Sequence, residues 1–149
     1  MKILFIIIPI ILVFTACKKE KIPQSEIDEN IIVDYINDNN ITAKSTASGL
    51  YYQIDSLGSG TQPNANSTVT VAYKGQLVDG QVFDQSSSAG ITFSLKNVIN
   101  GWQEGIPLFK ENGAGTLLIP SALGYGAQAN GSIPKNSVLI FSIHLISVE

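Results

Sequence analysis

The sequence predicts an α+β fold: a curled antiparallel sheet of five or six strands wrapped around one short helix, preceded by a short N-terminal helix. Three observations carry this. After Leu50 the apolar residues recur mostly with a period of two, the mark of half-buried strands. One stretch in that region changes period: Trp102, Ile106 and Phe109 fall at spacings of four and three and share a helical face. Clusters of Gly, Asn, Asp and Pro separate the apolar runs, as turns between antiparallel strands do. A lone short helix among strands must bury its apolar face on the sheet. The sole tryptophan, Trp102, then sits where helix, sheet and any cavity between them meet.

Taken in order, the chain opens with Lys2, an apolar run from Ile3 to Phe14, and Thr15-Ala16-Cys17. A charged start, an apolar stretch and small residues at a cut site have the shape of a secretory signal. The run is about twelve residues, short of the roughly twenty that a membrane span requires. Phe14-Thr15-Ala16-Cys17 resembles the lipobox of bacterial lipoproteins, which implies cleavage after residue 16 and lipid on Cys17; the alternatives are an uncleaved anchor or a chance cysteine. Several acyl chains would hold the protein firmly, each buried methylene adding about 0.8 kcal/mol. Residues 17–25 read as a charged, proline-containing tether.

Residues 26–48 form a helix and a polar connector. Ile27, Ile31 and Tyr35, with Ile32 and Ile36 beside them, repeat at helical spacing. Ser25 is the expected N-cap, Glu26, Asp28 and Glu29 favour the first turn, and Asn37 to Asn40 end the helix. Its apolar stripe either packs on the following domain or forms a dimer contact.

Residues 49–149 make the main domain. Leu50, Tyr52 and Ile54 alternate, and a Gly- and Pro-containing loop follows. Val69, Val71, Tyr73, Gly75 and Leu77 give the cleanest strand, with Tyr73 pointing inward. Asp79-Gly80 is a hairpin signal. Val82 to Asp84 leave that turn, Ile91 to Leu95 alternate again, and the Trp102 helix comes next. Thr116 to Ile119 form a strand, residues 120–135 a long loop rich in Gly, Ala and Pro, and Val138 to Val148 the last strand. In that strand Leu139, Phe141, Ile143 and Leu145 face inward while Ser142 and His144 face outward.

Much chemistry is excluded. A formal net charge of -3 with no Lys/Arg cluster in the folded part argues against nucleic acid. One cysteine and one histidine exclude an internal disulfide and a Cys- or His-based metal cluster. No nucleophile elbow, P-loop or Rossmann glycine pattern is present. Asp84 and Glu104 are weak candidates for a carboxylate pair, because lone acids near turns are usually solvated. What remains is an aromatic set: Tyr73, Phe83, Phe93, Trp102, Tyr125 and Phe141. Most such sets are simply core, but Phe83-Asp84 leave a turn and Tyr125 lies between glycines in a loop. Loop aromatics at a sheet rim point to a cavity open to solvent.

Four blocks then show a resemblance. They are Val69-Thr70-Val71-Ala72-Tyr73-Lys74-Gly75 through Asp79-Gly80-Gln81-Val82-Phe83-Asp84; Val98-Ile99-Asn100-Gly101-Trp102-Gln103-Glu104-Gly105; Ile119-Pro120 through Leu123-Gly124-Tyr125-Gly126; and Ile133-Pro134 with Leu139-Ile140-Phe141. In order and spacing they resemble the FK506-binding-protein (FKBP) family of peptidyl-prolyl cis/trans isomerases, over roughly Leu50 to Glu149. The resemblance implies an FKBP-like roll and a proline pocket floored by Trp102. It implies apolar walls from Tyr73, Phe93, Val98, Ile99 and Phe141, an edge at Phe83 and Asp84, the Tyr125 hydroxyl at the rim, and Ile133 in the covering loop. The Ile99 N–H is expected to bind a substrate carbonyl. Ala72 and Gln85 depart from the family's usual histidine and serine.

The expected function is rotation of X-Pro bonds in extracytoplasmic protein folding, with proline-containing polypeptides as clients and FK506- or rapamycin-like macrolides as ligands. No cofactor or metal is needed. The expected location is the cell envelope, on a bacterial membrane through Cys17, periplasmic or surface-facing. Asp84 is expected to be the one buried charge, accepting a hydrogen bond from Tyr73. The alternatives are a chaperone-like module that binds proline peptides or unfolded chains with little turnover, and a purely structural lipoprotein.

Overall fold

The computed structural model describes residues 21–149. The expected signal segment, Cys17 and the first part of the expected tether lie outside the described residues. Nine elements position the site: α1 (Gln24–Asp38), β1 (Lys44–Ser45), β2 (Tyr51–Ser56), β3 (Thr68–Gln76), β4 (Val82–Gln85), β5 (Ile91–Ser94), α2 (Asn100–Gly105), β6 (Ala114–Ile119) and β7 (Leu139–Val148). The strands form one antiparallel sheet in the order β1-β2-β6-β7-β3-β4, with β5 also on β3. The expected sheet thus gains a seventh strand. It is β1, a two-residue strand inside the stretch expected to be a polar connector, pairing Lys44 with Tyr52 and Ser45 with Tyr51.

The free edge of β3 is shared. Its first half, Thr68 to Val71, pairs with β5, and its second half, Lys74 to Gln76, pairs with β4. Tyr73 stands at the parting. Its backbone is satisfied there by Ser86, whose Oγ accepts from the Tyr73 N–H at 2.9 Å and whose N–H donates to the Tyr73 carbonyl at 3.0 Å. The divergence of β4 from β5 opens the sheet beside the Tyr73 ring.

The inner face of the sheet holds the main core: Val69, Val71, Leu117, Ile119, Leu139, Phe141, Ile143 and Leu145, with Trp102, Ile106 and Phe109 over them. The α-helical turn stops at Gly105, and Pro107 carries the chain into a 3-10 turn over Ile106–Leu108. The three apolar residues that predicted the helix are nonetheless all buried.

The outer face holds a second cluster. Ile32 of α1 meets Leu118, Val138 and Ile140, flanked by Ile31, Tyr35, Ile36, Ile41, Ala43 and Tyr51. So the α1 stripe packs on the domain from Ile31 to Ile36, while Ile27, expected on the same stripe, is exposed. Both faces of β6 and β7 are covered, which is why Leu117-Leu118-Ile119 and Leu139-Ile140-Phe141 run apolar without a break. Fully burying one such aliphatic side chain contributes about 1.5–3 kcal/mol. The helix starts one residue before the expected N-cap Ser25. Pro23, extended at φ -64° and ψ 147°, occupies the cap position, and its carbonyl accepts from the N–H groups of Glu26 and Ile27.

Candidate functional site

The site is built from the seat of α2 outward. Two glycines let this six-residue helix lie flat on β6. A Cβ on Gly101 would meet Ile119 side-chain atoms at 2.5–3.0 Å, and one on Gly105 would meet Leu117 Cδ1 at 2.6 Å. With the helix pressed so close, Trp102 lies flat in the opening of the sheet. Its ring meets Tyr73 at 5.1 Å and 87°, Phe141 at 5.3 Å and 78°, and Phe93 at 5.4 Å and 81°. Three aromatic rings therefore stand nearly upright on the indole, the favoured edge-to-face arrangement. Phe83 stands edge-on to Phe141 at 5.5 Å.

These rings enclose a cavity of about 490 Å³, lined by all ten candidate residues: Tyr73, Phe83, Asp84, Phe93, Val98, Ile99, Trp102, Tyr125, Ile133 and Phe141. That volume lies within the ordinary range of small-ligand sites. Sequence reasoning missed four further lining residues, Asn97, Asn130, Gly131 and Ser132. The last three form the tip of a tight turn closed by mutual backbone hydrogen bonds of 2.9 Å between Asn130 and Ile133. The Asn-Gly pair there was the available signal.

The polar side chains at the cavity are those of Tyr73, Asp84, Asn97, Tyr125, Asn130 and Ser132, against an aromatic and aliphatic remainder. The Tyr73 hydroxyl donates to Asp84 Oδ2 at 2.7 Å. Burial foremost, then the hydrogen bond to Asp84 and its charge, push the Tyr73 pKa above the usual tyrosine range, so the ring keeps its proton. Asp84 itself is exposed, which corrects the expectation of a buried charge: it sits on short edge strand β4, open to water on one side. The buried acid is Asp28 of α1, 1% exposed. Glu104 is turned away from the cavity and accepts from the Ser48 hydroxyl at 2.7 and 2.9 Å, so no carboxylate pair forms with Asp84.

At the start of α2 the Ile99 carbonyl accepts from the N–H groups of Trp102 and Gln103, and Gln103 Nε2 reaches back to the Val98 carbonyl at 2.8 Å. The Ile99 N–H has no acceptor among the described residues. The indole Nε1 is likewise buried without a partner. Among those residues no group of His, Cys, Asp or Glu side chains is placed to hold a metal ion. An aromatic floor and walls with the free Ile99 N–H at the margin suit a ligand with an apolar ring and adjacent carbonyls.

An antiparallel half-roll with an aromatic cleft over one short helix defines a class of fold and site found in solved prolyl isomerases. The structure superposes on the crystal structure of FkpA from Escherichia coli with a TM-score of 0.72 at 33% identity, over 85% of this chain and 62% of that one. It also matches the peptidyl-prolyl cis-trans isomerase of Pseudomonas syringae pv. tomato, TM-score 0.72 at 32% identity, over 87% of this chain and 98% of that one. The family model for the FKBP-type peptidyl-prolyl cis-trans isomerase matches residues 59–146. This chain belongs to that family.

Among curated relatives, it is 47% identical over 108 residues to the probable FKBP-type peptidyl-prolyl cis-trans isomerase FkpA of Neisseria meningitidis, covering 70% of this chain and 40% of the relative. It is 43% identical over 116 residues to the peptidyl-prolyl cis-trans isomerase Mip of Coxiella burnetii, covering 76% of this chain and 50% of that protein. The chain thus spans half or less of the length of these relatives, and α1 lies ahead of the segment that the family model matches.

Proposed function

We propose that this chain accelerates cis/trans rotation about X-Pro bonds, with proline-containing polypeptides as substrates. The observation that carries this is the cleft itself: an indole floor with three rings upright on it and an unpaired N–H at Ile99 on the margin. A prolyl ring resting on Trp102 leaves its preceding amide between Tyr73, Asp84 and Tyr125, with the Ile99 N–H to receive a carbonyl.

Rotation breaks no covalent bond. Its barrier is amide resonance, about 18–20 kcal/mol, with spontaneous times of tens of seconds. A twisted amide loses that resonance, and its oxygen carries less charge than in the planar form. A water-poor apolar cleft penalises the planar state more, and this difference lowers the barrier. Bringing seconds to milliseconds takes about 10⁴-fold, or roughly 5.5 kcal/mol. Desolvation, one oriented donor and walls shaped to the rotated bond are asked to supply it. Tyr73, held neutral, serves as a wall, its hydroxyl proton committed to Asp84, which fixes the ring's orientation. FK506- or rapamycin-like macrolides, which present a proline-like ring, are expected to compete for the same cleft.

The N-terminal sequence supports a bacterial lipoprotein, exported, cut before Cys17 and anchored by lipid to a membrane of the cell envelope, where it assists folding. The domain limits proposed are residues 1–16 for the signal, 17–25 for the tether, 26–48 for helix and connector, and 49–149 for the isomerase domain.

The test is a spectroscopic isomerisation assay with a short Xaa-Pro peptide, run alongside quenching of Trp102 fluorescence by the same peptide. Acceleration above background, abolished by a macrolide, supports the proposal. Quenching without acceleration assigns the chain to the binding modules, and neither signal removes both readings.

A further inference from the structure

We propose that Asp28, on the N-terminal helix and ahead of the family-matched segment, is a positioning residue for Tyr125 at the rim of the cleft. This rests on the prolyl isomerase reading of that cleft. Asp28 is the fully buried charge among the described residues, and its partners explain why it is there. Its Oδ2 accepts from the Ser121 hydroxyl at 2.6 Å and from the Ser121 N–H at 2.8 Å, and its Oδ1 accepts from Gln24 Nε2 at 2.7 Å. A buried carboxylate holds its place only with such charge-assisted bonds, which are about twice as strong as neutral ones.

Ser121 is fixed from one side and gives support on the other. Its carbonyl accepts from the N–H of Gly124 at 3.0 Å and of Gly126 at 2.8 Å, the two residues flanking Tyr125. Gly126 has φ +62°, and its carbonyl accepts from the Asn136 N–H at 2.8 Å, at the far end of the covering loop. One residue, Ser121, thus joins the helix carboxylate through its N–H and hydroxyl to the glycine bracket that aims Tyr125 through its carbonyl. Tyr125 has little else to fix it: the side chain is 39% exposed. The other end of the same loop is also held by α1, since Val138 packs against Ile32. Helix α1 therefore grips both roots of the loop that carries Tyr125, Asn130 and Ile133 over the cleft.

The test is a double-mutant cycle in the full chain: wild type, Asp28→Ala, Tyr125→Phe, and both together, each assayed for kcat and KM on a short Xaa-Pro peptide well below its melting midpoint. Asp28→Ala is expected to lower kcat/KM about tenfold, less than the roughly 10²-fold that a full 1 Å misplacement of a contact group can cost. In the Tyr125→Phe background the same substitution is expected to cost about twofold or less, because sites that act through one another are not additive. The full tenfold loss persisting without the Tyr125 hydroxyl, or an unchanged kcat/KM in a folded Asp28→Ala, overturns the proposal. Should Asp28→Ala not fold, Asp28→Asn and Ser121→Ala carry the same cycle with the same criterion. A wild-type chain that accelerates nothing sinks the isomerase reading instead, so the two failures are told apart.

Discussion

Gly75 offers the sharpest test of the cleft as a rigid, fully packed structure. It lies on the inner face of β3, opposite Phe141 in the ladder. A Cβ added there meets Phe83 Cε2 at 2.6 Å and both Phe141 Cε1 and Phe83 Cζ at 2.7 Å. Carbon atoms rest at about 3.5–4.0 Å, so each ring edge must retreat by about 1 Å. Phe141 is held on Trp102 at 5.3 Å and near Tyr73 at 6.2 Å, and the half-buried Phe83 is edge-on to Phe141, so moving either ring disturbs the cleft wall. The backbone at Gly75 is outside the left-handed region, so the effect of Gly75→Ala is spatial.

An added methyl in a packed core costs about 1–3 kcal/mol. For a domain of roughly 100 residues each kcal/mol moves the melting midpoint by about 4–8 °C, so a fall of about 5–20 °C is expected. Because both displaced rings line the cleft, kcat/KM for an Xaa-Pro peptide should fall at temperatures where the variant is fully folded. Calorimetry and the isomerisation assay read the two effects separately. An unchanged midpoint together with unchanged kcat/KM would mean that the rings swing aside freely, and the rigid aromatic wall is then wrong.

Further outcomes follow from the same geometry. Asp84→Asn should lower turnover by less than about tenfold, as expected of a group that orients the Tyr73 hydroxyl; complete loss of turnover with unchanged peptide binding contradicts a supporting role. Tyr73 has its pKa raised in the fold, so folding favours its protonated form; its stabilising contribution is intact below the ordinary value of 10.0 and is lost as pH rises past it. Denaturation midpoints of the wild type should therefore fall more steeply above about pH 10 than those of Tyr73→Phe, and parallel curves would refute the assignment. On the proposed lipoprotein reading, the wild type is found in the membrane fraction and Cys17→Ser should move it to the soluble fraction; retention in the membrane would argue for an uncleaved anchor.

How much of this was legible in the chain depends on the range of the contacts involved. Period-two alternation placed Tyr73 and Phe141 inward, because the pleat alone sets which face a strand residue takes. The Trp102–Phe109 spacing located the buried helical face even though Pro107 breaks the helix type partway. Turn and loop positions marked Phe83-Asp84 and Tyr125 as rim residues, but gathering all ten residues into one cleft came from motif resemblance, since strand periodicity does not separate a cleft aromatic from a core one. What the sequence by itself determined was the set of inward faces, the turns between them and the seat for one short helix, all properties of neighbouring residues. Tertiary structure alone decided that β4 and β5 part at Tyr73, that Asp84 is open to water, and that Asp28 is buried against Ser121, 93 residues away in the chain. Burial of a charge depends on which distant partner arrives to satisfy it, and periodicity carries no record of that partner.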